Sequence, residues 1–141
     1  MPTGVNKATV RAFFDTLNRE KSMKSLPRYV TGDYKAHFPE AEMDSSGTMS
    51  YGDSFFAAFP NLSFSYEDVF AEGDMVGLRL IIKGKHTQPL EGPQGAVPSS
   101  GKDVTLVALN LFKMTEDGKI AEHWSMYDML GFLRDIGAIP Q

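Results

Sequence analysis

The stretch Leu62-Ser63-Phe64-Ser65-Tyr66-Glu67-Asp68-Val69-Phe70-Ala71-Glu72-Gly73-Asp74 sets the period of the second half of the chain. Successive side chains of an extended backbone point to opposite faces. Leu62, Phe64, Tyr66 and Phe70 therefore share one face, and Ser63, Ser65, Glu67 and Ala71 the other. Glu72-Gly73-Asp74 is a turn, and Met75 to Thr87 reads as the returning strand. There Val76, Leu78, Leu80 and Ile82 alternate with Arg79, Ile81 and Lys83, so both faces carry apolar side chains. Two further strands are expected over Val104 to Met114 and Lys119 to Tyr127, joined by the turn Glu116-Asp117-Gly118. Between the two pairs lies a Pro/Gly-rich stretch, Gln88 to Gly101, the one long loop and a candidate lid.

Upstream the period is helical. Val10, Phe13, Phe14 and Leu17 fall on one stripe, with Asn6 available as an N-cap. A short helical stretch is expected over Lys24 to Val30, where Pro27 is tolerable only in a first turn. Tyr34 to Phe38 looks strand-like and ends at Pro39. A third helix beginning near Thr48 offers Tyr51, Phe55, Phe56 and Phe59 to the interior before Pro60 stops it. After the last strand, Met129 to Ile136 is a final helix with Gly137 as its stop. Helices followed by consecutive long strands predict an α+β domain spanning residues 1–141. The expected architecture is a curved antiparallel sheet and N-terminal helices forming a cone-shaped barrel around an apolar pocket. Strands apolar on both faces need cover on both, and a homodimer is the expected cover for the face the helices leave open.

Composition removes several classes. Fourteen basic residues face eighteen acidic ones without a basic cluster, which argues against a nucleic-acid groove. With no cysteine in the chain, disulfides and thiolate chemistry are excluded. The first ten residues lack the apolar segment of a signal peptide and no apolar run approaches membrane-spanning length, so the expectation is a cytoplasmic protein without membrane contact.

The informative stretch for chemistry is Gly118-Lys119-Ile120-Ala121-Glu122-His123-Trp124-Ser125-Met126-Tyr127-Asp128. Unbroken strand parity puts Ile120, Glu122, Trp124, Met126 and Asp128 on one face and His123, Ser125 and Tyr127 on the other. If the first face is interior, Glu122 is desolvated and its pKa raised, which makes a carboxyl a usable acid or base near neutrality. The bland alternative is an ion-paired Glu122 at the rim. Asp128 has its own alternative as the N-cap of the final helix, and for Asp128 alone the cap is preferred. His86 extends the Val76–Ile82 face to a strand end beside the long loop, suited either to proton transfer or to a satisfied polar role at a sheet edge. The three histidines lack metal-ligand spacing, so no metal is expected. Neither a phosphate-cradling glycine loop nor a serine elbow is present. Phe14, Tyr51, Phe55, Phe59 and Trp124 come from separate elements and would converge as the lining of an apolar ligand pocket, with His37 and His123 as further contacts.

Gly84-Lys85-His86, Ser99-Ser100-Gly101-Lys102, Asp117 to Trp124, Asp128, Leu130-Gly131 and Ile136-Gly137, together with Ala58 to Leu62 and the Val10 to Asn18 helix, resemble the SnoaL-like polyketide cyclase family in matching order. The resemblance implies a nuclear-transport-factor-2-like fold, a homodimer and no cofactor. In the family's aldol cyclases an aspartate follows the acidic residue of the final strand by three, and a histidine on the preceding strand accompanies it. Those positions align here with Ser125 and Leu111, so aldol chemistry of the founding type is not implied. The retained set of Glu122, His86 and Asp128 resembles that of members performing other ring chemistry. The expected function is thus an acid/base cyclase or isomerase of an apolar polyketide- or terpenoid-like molecule. The alternatives are a non-catalytic ligand-binding module and an epoxide hydrolase.

Overall fold

The structure is a computed structural model, which describes residues 3–92 and 95–140. It contains three α-helices, α1 (Thr3–Glu20), α2 (Ser45–Ala58) and α3 (Met129–Asp135), and a one-turn 3₁₀ helix at Leu26–Arg28. Its strands are β1 (Val30–His37), β2 (Glu42–Met43), β3 (Ser63–Glu72), β4 (Met75–Lys85), β5 (Leu90–Gly92), β6 (Gly95–Val97), β7 (Asp103–Met114) and β8 (Ile120–Met126). Six of them form one curved sheet in the order β2-β1-β8-β7-β4-β3, and β5 and β6 form a separate hairpin.

The α+β class is as expected, with two differences in the sheet. It is mixed rather than antiparallel, because β1 runs parallel to β8. Both strands follow helical segments or hairpins laid down elsewhere in the chain, so no tight turn obliges them to oppose each other. The sheet curves around its contents without closing into a barrel, leaving β2 and β3 as edges.

The helix α1 begins at Thr3, so Asn6 lies buried inside it rather than capping it. Its inward stripe is the expected Val10, Phe13, Phe14 and Leu17, each worth about 1.5–3 kcal/mol when buried. The helix is also fastened to the sheet edge. Asn18 Nδ2 donates to the Phe64 carbonyl at 2.8 Å, and the Phe64 amide donates to Asn18 Oδ1 at 2.7 Å. Helix α2 starts three residues before Thr48, because the Asp44 carboxylate caps it by accepting from the Gly47 amide at 2.8 Å.

A bulge overturns one face assignment. The β3–β4 register shifts between Glu67 and Phe70, with Asp68 at φ 53° and its carboxylate 2.8 Å from Arg79 Nε. Beyond that point the parity inverts. Leu62 and Phe64 face inward as expected, whereas Phe70 is turned to the outer face, 61% exposed. Its ring lies over Gly77, where any β-carbon would come within 2.3 Å of it. Phe70, Val107, Leu109, Leu111 and Met126 are all exposed on the sheet.

The Gln88–Gly101 stretch folds as the β5–β6 hairpin, with Leu90 buried. Its first residue, Gln88, and the preceding Thr87 donate their amides to the Ala58 carbonyl. Its far end returns to His86, described below.

Candidate functional site

The concave side of the sheet and helices α1, α2 and α3 enclose a cavity of about 120 Å³, several times what one water molecule requires. About half of its lining residues are aromatic. Phe13 and Phe14 come from α1, Phe55, Phe56 and Phe59 from α2 or its end, Phe64 from β3 and Phe132 from α3. Of the expected lining, Phe14, Tyr51, Phe55, Phe59 and His123 are all present.

The polar atoms of the wall come chiefly from the strands. His123 on β8 is 7% exposed, and the rings of Phe112 (4.2 Å, stacked) and Phe38 (5.8 Å, edge-on) enclose its imidazole. Its Nε2 lies 2.7 Å from Asn110 Oδ1. The Asn110 amide group itself donates to the Ala108 carbonyl at 3.2 Å, which orients its oxygen toward the histidine. Nε2 therefore carries the proton, and Nδ1 presents a lone pair to the Tyr34 hydroxyl at 3.4 Å. Burial, with the nearby His37 as a smaller contribution, lowers the His123 pKa to about 3, so the ring is neutral. Burial likewise pushes the hydroxyls of Tyr34, Tyr51 and Tyr127 up. Tyr51 and Tyr127 meet hydroxyl to hydroxyl, and Tyr51 donates onward to the exposed Glu40 carboxylate at 2.8 Å. Ser125, buried between His123 and Tyr127 along the strand, completes this side.

The structure does not bring Glu122, His86 and Asp128 together. Of the two readings of Glu122, the ion-paired rim is the one the geometry supports, and a second bulge is the reason. Lys113 pairs with Glu122 but Met114 pairs with Ile120, leaving Ala121 as an extra residue. Ile120 is buried, yet its parity does not carry past Ala121, and His123 and Ser125 take the inner face. Glu122 instead binds His37 Nε2 at 2.6 Å with its side chain 32% exposed, and His37 stacks on Trp124 with ring centroids 5.3 Å apart. Neither Trp124 nor His37 lines the cavity, so both leave the set of expected contacts.

His86 is fully buried, and every polar contact it makes staples the β5–β6 insertion. Its Nδ1 accepts from the Ser100 amide at 3.1 Å and lies 2.9 Å from the Ser100 hydroxyl. Its backbone bonds Lys102, Gly101 and the Ser99 hydroxyl, and its ring stacks on Phe59. Burial lowers its pKa. Asp128 accepts from the Gly131 amide at 2.9 Å and caps α3, the role preferred for it.

Four residues of the polar cluster, Tyr34, Asn110, Ser125 and Tyr127, were absent from the expected site. Asn110 is the single polar side chain on the inward parity of β7, among Val104, Leu106, Ala108, Phe112 and Met114; that interruption was its signal. The alignment on Leu111 chose the neighbouring outward position, 45% exposed. Tyr34 shares the inward parity of β1 with Ala36. Among the described residues no group of three or more His, Asp or Glu side chains is arranged to hold a metal, and no helix is long and apolar enough to cross a membrane.

Comparison with known families finds one model, SnoaL-like polyketide cyclase, matching residues 8–136. No curated protein matches the chain. Among solved structures, AclR of Streptomyces galilaeus, provisionally called a hydroxylase, superposes with a TM-score of 0.84 at 22% identity, covering 99% of this chain and 85% of its own. A SnoaL-like polyketide cyclase, also provisionally assigned, from Jannaschia sp. CCS1 gives 0.83 at 24% identity, covering 99% and 97%. IdmH of Streptomyces antibioticus, a provisional polyketide cyclase, gives 0.74 at 23%, covering 94% and 98%. At these identities the structures share the fold.

Proposed function

The chain belongs to the SnoaL-like polyketide cyclase family, and from that premise we propose that it is an acid–base cyclase or isomerase of an apolar polyketide- or terpenoid-like molecule. The observation that supports this is the Tyr34–His123–Asn110 chain in the wall of a cavity whose lining is about half aromatic. The aromatic walls would fold a flexible substrate so that its nucleophile and electrophile meet, which by itself can lower a barrier by ~7–11 kcal/mol. His123 Nδ1 would take the proton from the attacking hydroxyl or α-carbon. The freed electron pair would form the new bond as the electrophile's carbon–oxygen bond opens; that oxygen would take the Tyr34 proton, and Tyr34 would recover one from the His123 imidazolium across their 3.4 Å contact. Each transfer contributes on the order of 10²–10⁴-fold.

So low a pKa makes His123 a weak base in the empty cavity. An oxyanion forming beside it offsets the charge of the imidazolium, so proton transfer and oxyanion formation are coupled. In this scheme Glu122, His86 and Asp128 serve as ion-pair partner, hairpin staple and helix cap. We also propose that the protein works as a homodimer, a second copy covering the apolar outer face around Leu109 and Leu111.

The low pKa of His123 favours one alternative, a non-catalytic carrier of a small apolar ligand. Hydrogen exchange in D₂O separates the two, with 2-acetonaphthone as probe. An acid–base pocket exchanges the methyl hydrogens next to the carbonyl faster than buffer does, and His123→Phe abolishes the excess. A bound ketone that exchanges no faster than in buffer places the protein with the carriers.

A further inference from the structure

Among the described residues, no lysine, arginine, aspartate or glutamate lines the cavity. Its four titratable members, Tyr34, Tyr51, Tyr127 and His123, are all held in their neutral forms by burial. The wall therefore carries no formal charge near neutral pH. It offers hydroxyls, one amide and one imidazole, which can serve a ligand oxygen but cannot balance an ion. Among the described residues, the charged group that hydrogen-bonds a lining side chain is Glu40, which accepts from the Tyr51 hydroxyl on the solvent side. An anion passing that point meets a like charge.

We propose that the cavity admits only ligands uncharged along their whole length, and refuses the ionised form of an otherwise identical molecule. The inference deepens the function proposed above and rests on its placing the ligand in this cavity. A carboxylate or ammonium moved from water into such a wall loses its hydration and gains no opposite charge, a penalty that a neutral ligand of the same shape does not meet. A ketone, lactone, epoxide or ester loses far less, because one hydroxyl satisfies its oxygen. The chemical class is thus a neutral, largely aromatic or polycyclic oxygenated molecule. Free acids and amines of the same skeleton are excluded.

The isosteric pair 2-acetonaphthone and 2-naphthoate tests this on the intact chain at pH 7.5, with naphthalen-2-ylmethylammonium as the cationic counterpart. Affinity is read by calorimetry and location by the shift of the Asn110 side-chain amide signals. The ketone should move those signals and bind at least about tenfold more tightly than either ion, given the cost of burying an unpaired charge. The inference is overturned if either ion binds as tightly with the same Asn110 shift, or if the ketone leaves Asn110 unmoved. Turnover is not read. Discrimination without hydrogen exchange would leave the inference standing in a carrier, while exchange without discrimination would remove the inference alone.

Discussion

His123 donates its Nε2 proton to Asn110 Oδ1 across 2.7 Å, and this bond leaves Nδ1 as the nitrogen with the lone pair, beside the Tyr34 hydroxyl. Asn110→Asp places a carboxylate where a neutral oxygen now sits. An adjacent opposite charge favours the imidazolium, so the His123 pKa should rise by more than about 1 unit. Histidine ¹⁵N shifts followed against pH would show it; an unchanged titration would mean that the two side chains do not bond.

Acid should weaken the fold through the same ring. His123 titrates at about 3 when folded and near the ordinary imidazole value of about 6.5 when unfolded. Between those values the unfolded chain binds a proton that the folded chain refuses. Stability is therefore complete above about 6.5 and falls as the pH falls through the window. His86, also lowered by burial, acts in the same direction. Urea midpoints between pH 7.5 and 4.5 should drop for the native sequence and drop less steeply for His123→Leu. Parallel slopes would remove His123 as the cause.

Asp128→Ala should lower stability by about 1 kcal/mol, the usual loss for an N-cap, with no change in 2-acetonaphthone affinity. Full stability combined with lost affinity or lost hydrogen exchange would instead mark Asp128 as part of the site.

His86→Ala should destabilise the chain by on the order of 2 kcal/mol, since it empties a buried volume and strips Ser100 of its acceptor. Amide exchange should accelerate first at Gly101 and across the β5–β6 hairpin. Uniform acceleration over the whole sheet would contradict a stapling role.

Leu109 is 63% exposed and pairs with Met126 across the β7–β8 ladder. Leu109→Glu buries a charge in the proposed homodimer contact and should weaken association roughly a hundredfold. Sedimentation of both proteins decides the matter: a native chain that is monomeric throughout rules the dimer out.

The helical stripe of α1 and the aromatic face of α2 were legible because helical period and apolar burial agree there. The β4 face was legible for the same reason at period two, down to His86. Parity failed at two places, Asp68 and Ala121, and each failure is one extra residue in a ladder. Nothing in the side chains around Ala121 announces the insertion, because Ile120 and Trp124 are as apolar as an interior pair would be. That single residue exchanged Glu122 and Trp124 for His123 and Ser125 as the inward set. His86 was placed on the right face but given the wrong neighbours, since the serines it holds lie 13 and 14 residues further on, across the hairpin.

The clasp of Asn18 on Phe64 has a consequence for how this protein can meet others of its kind. Near the start of β3 it occupies an amide and a carbonyl that would otherwise be open to a foreign strand. A row interrupted there is a poor template for adding strands from a neighbouring molecule, the route by which open-edged sheets polymerise. Growth along that edge is thus discouraged, and association is channelled toward contacts that close on themselves.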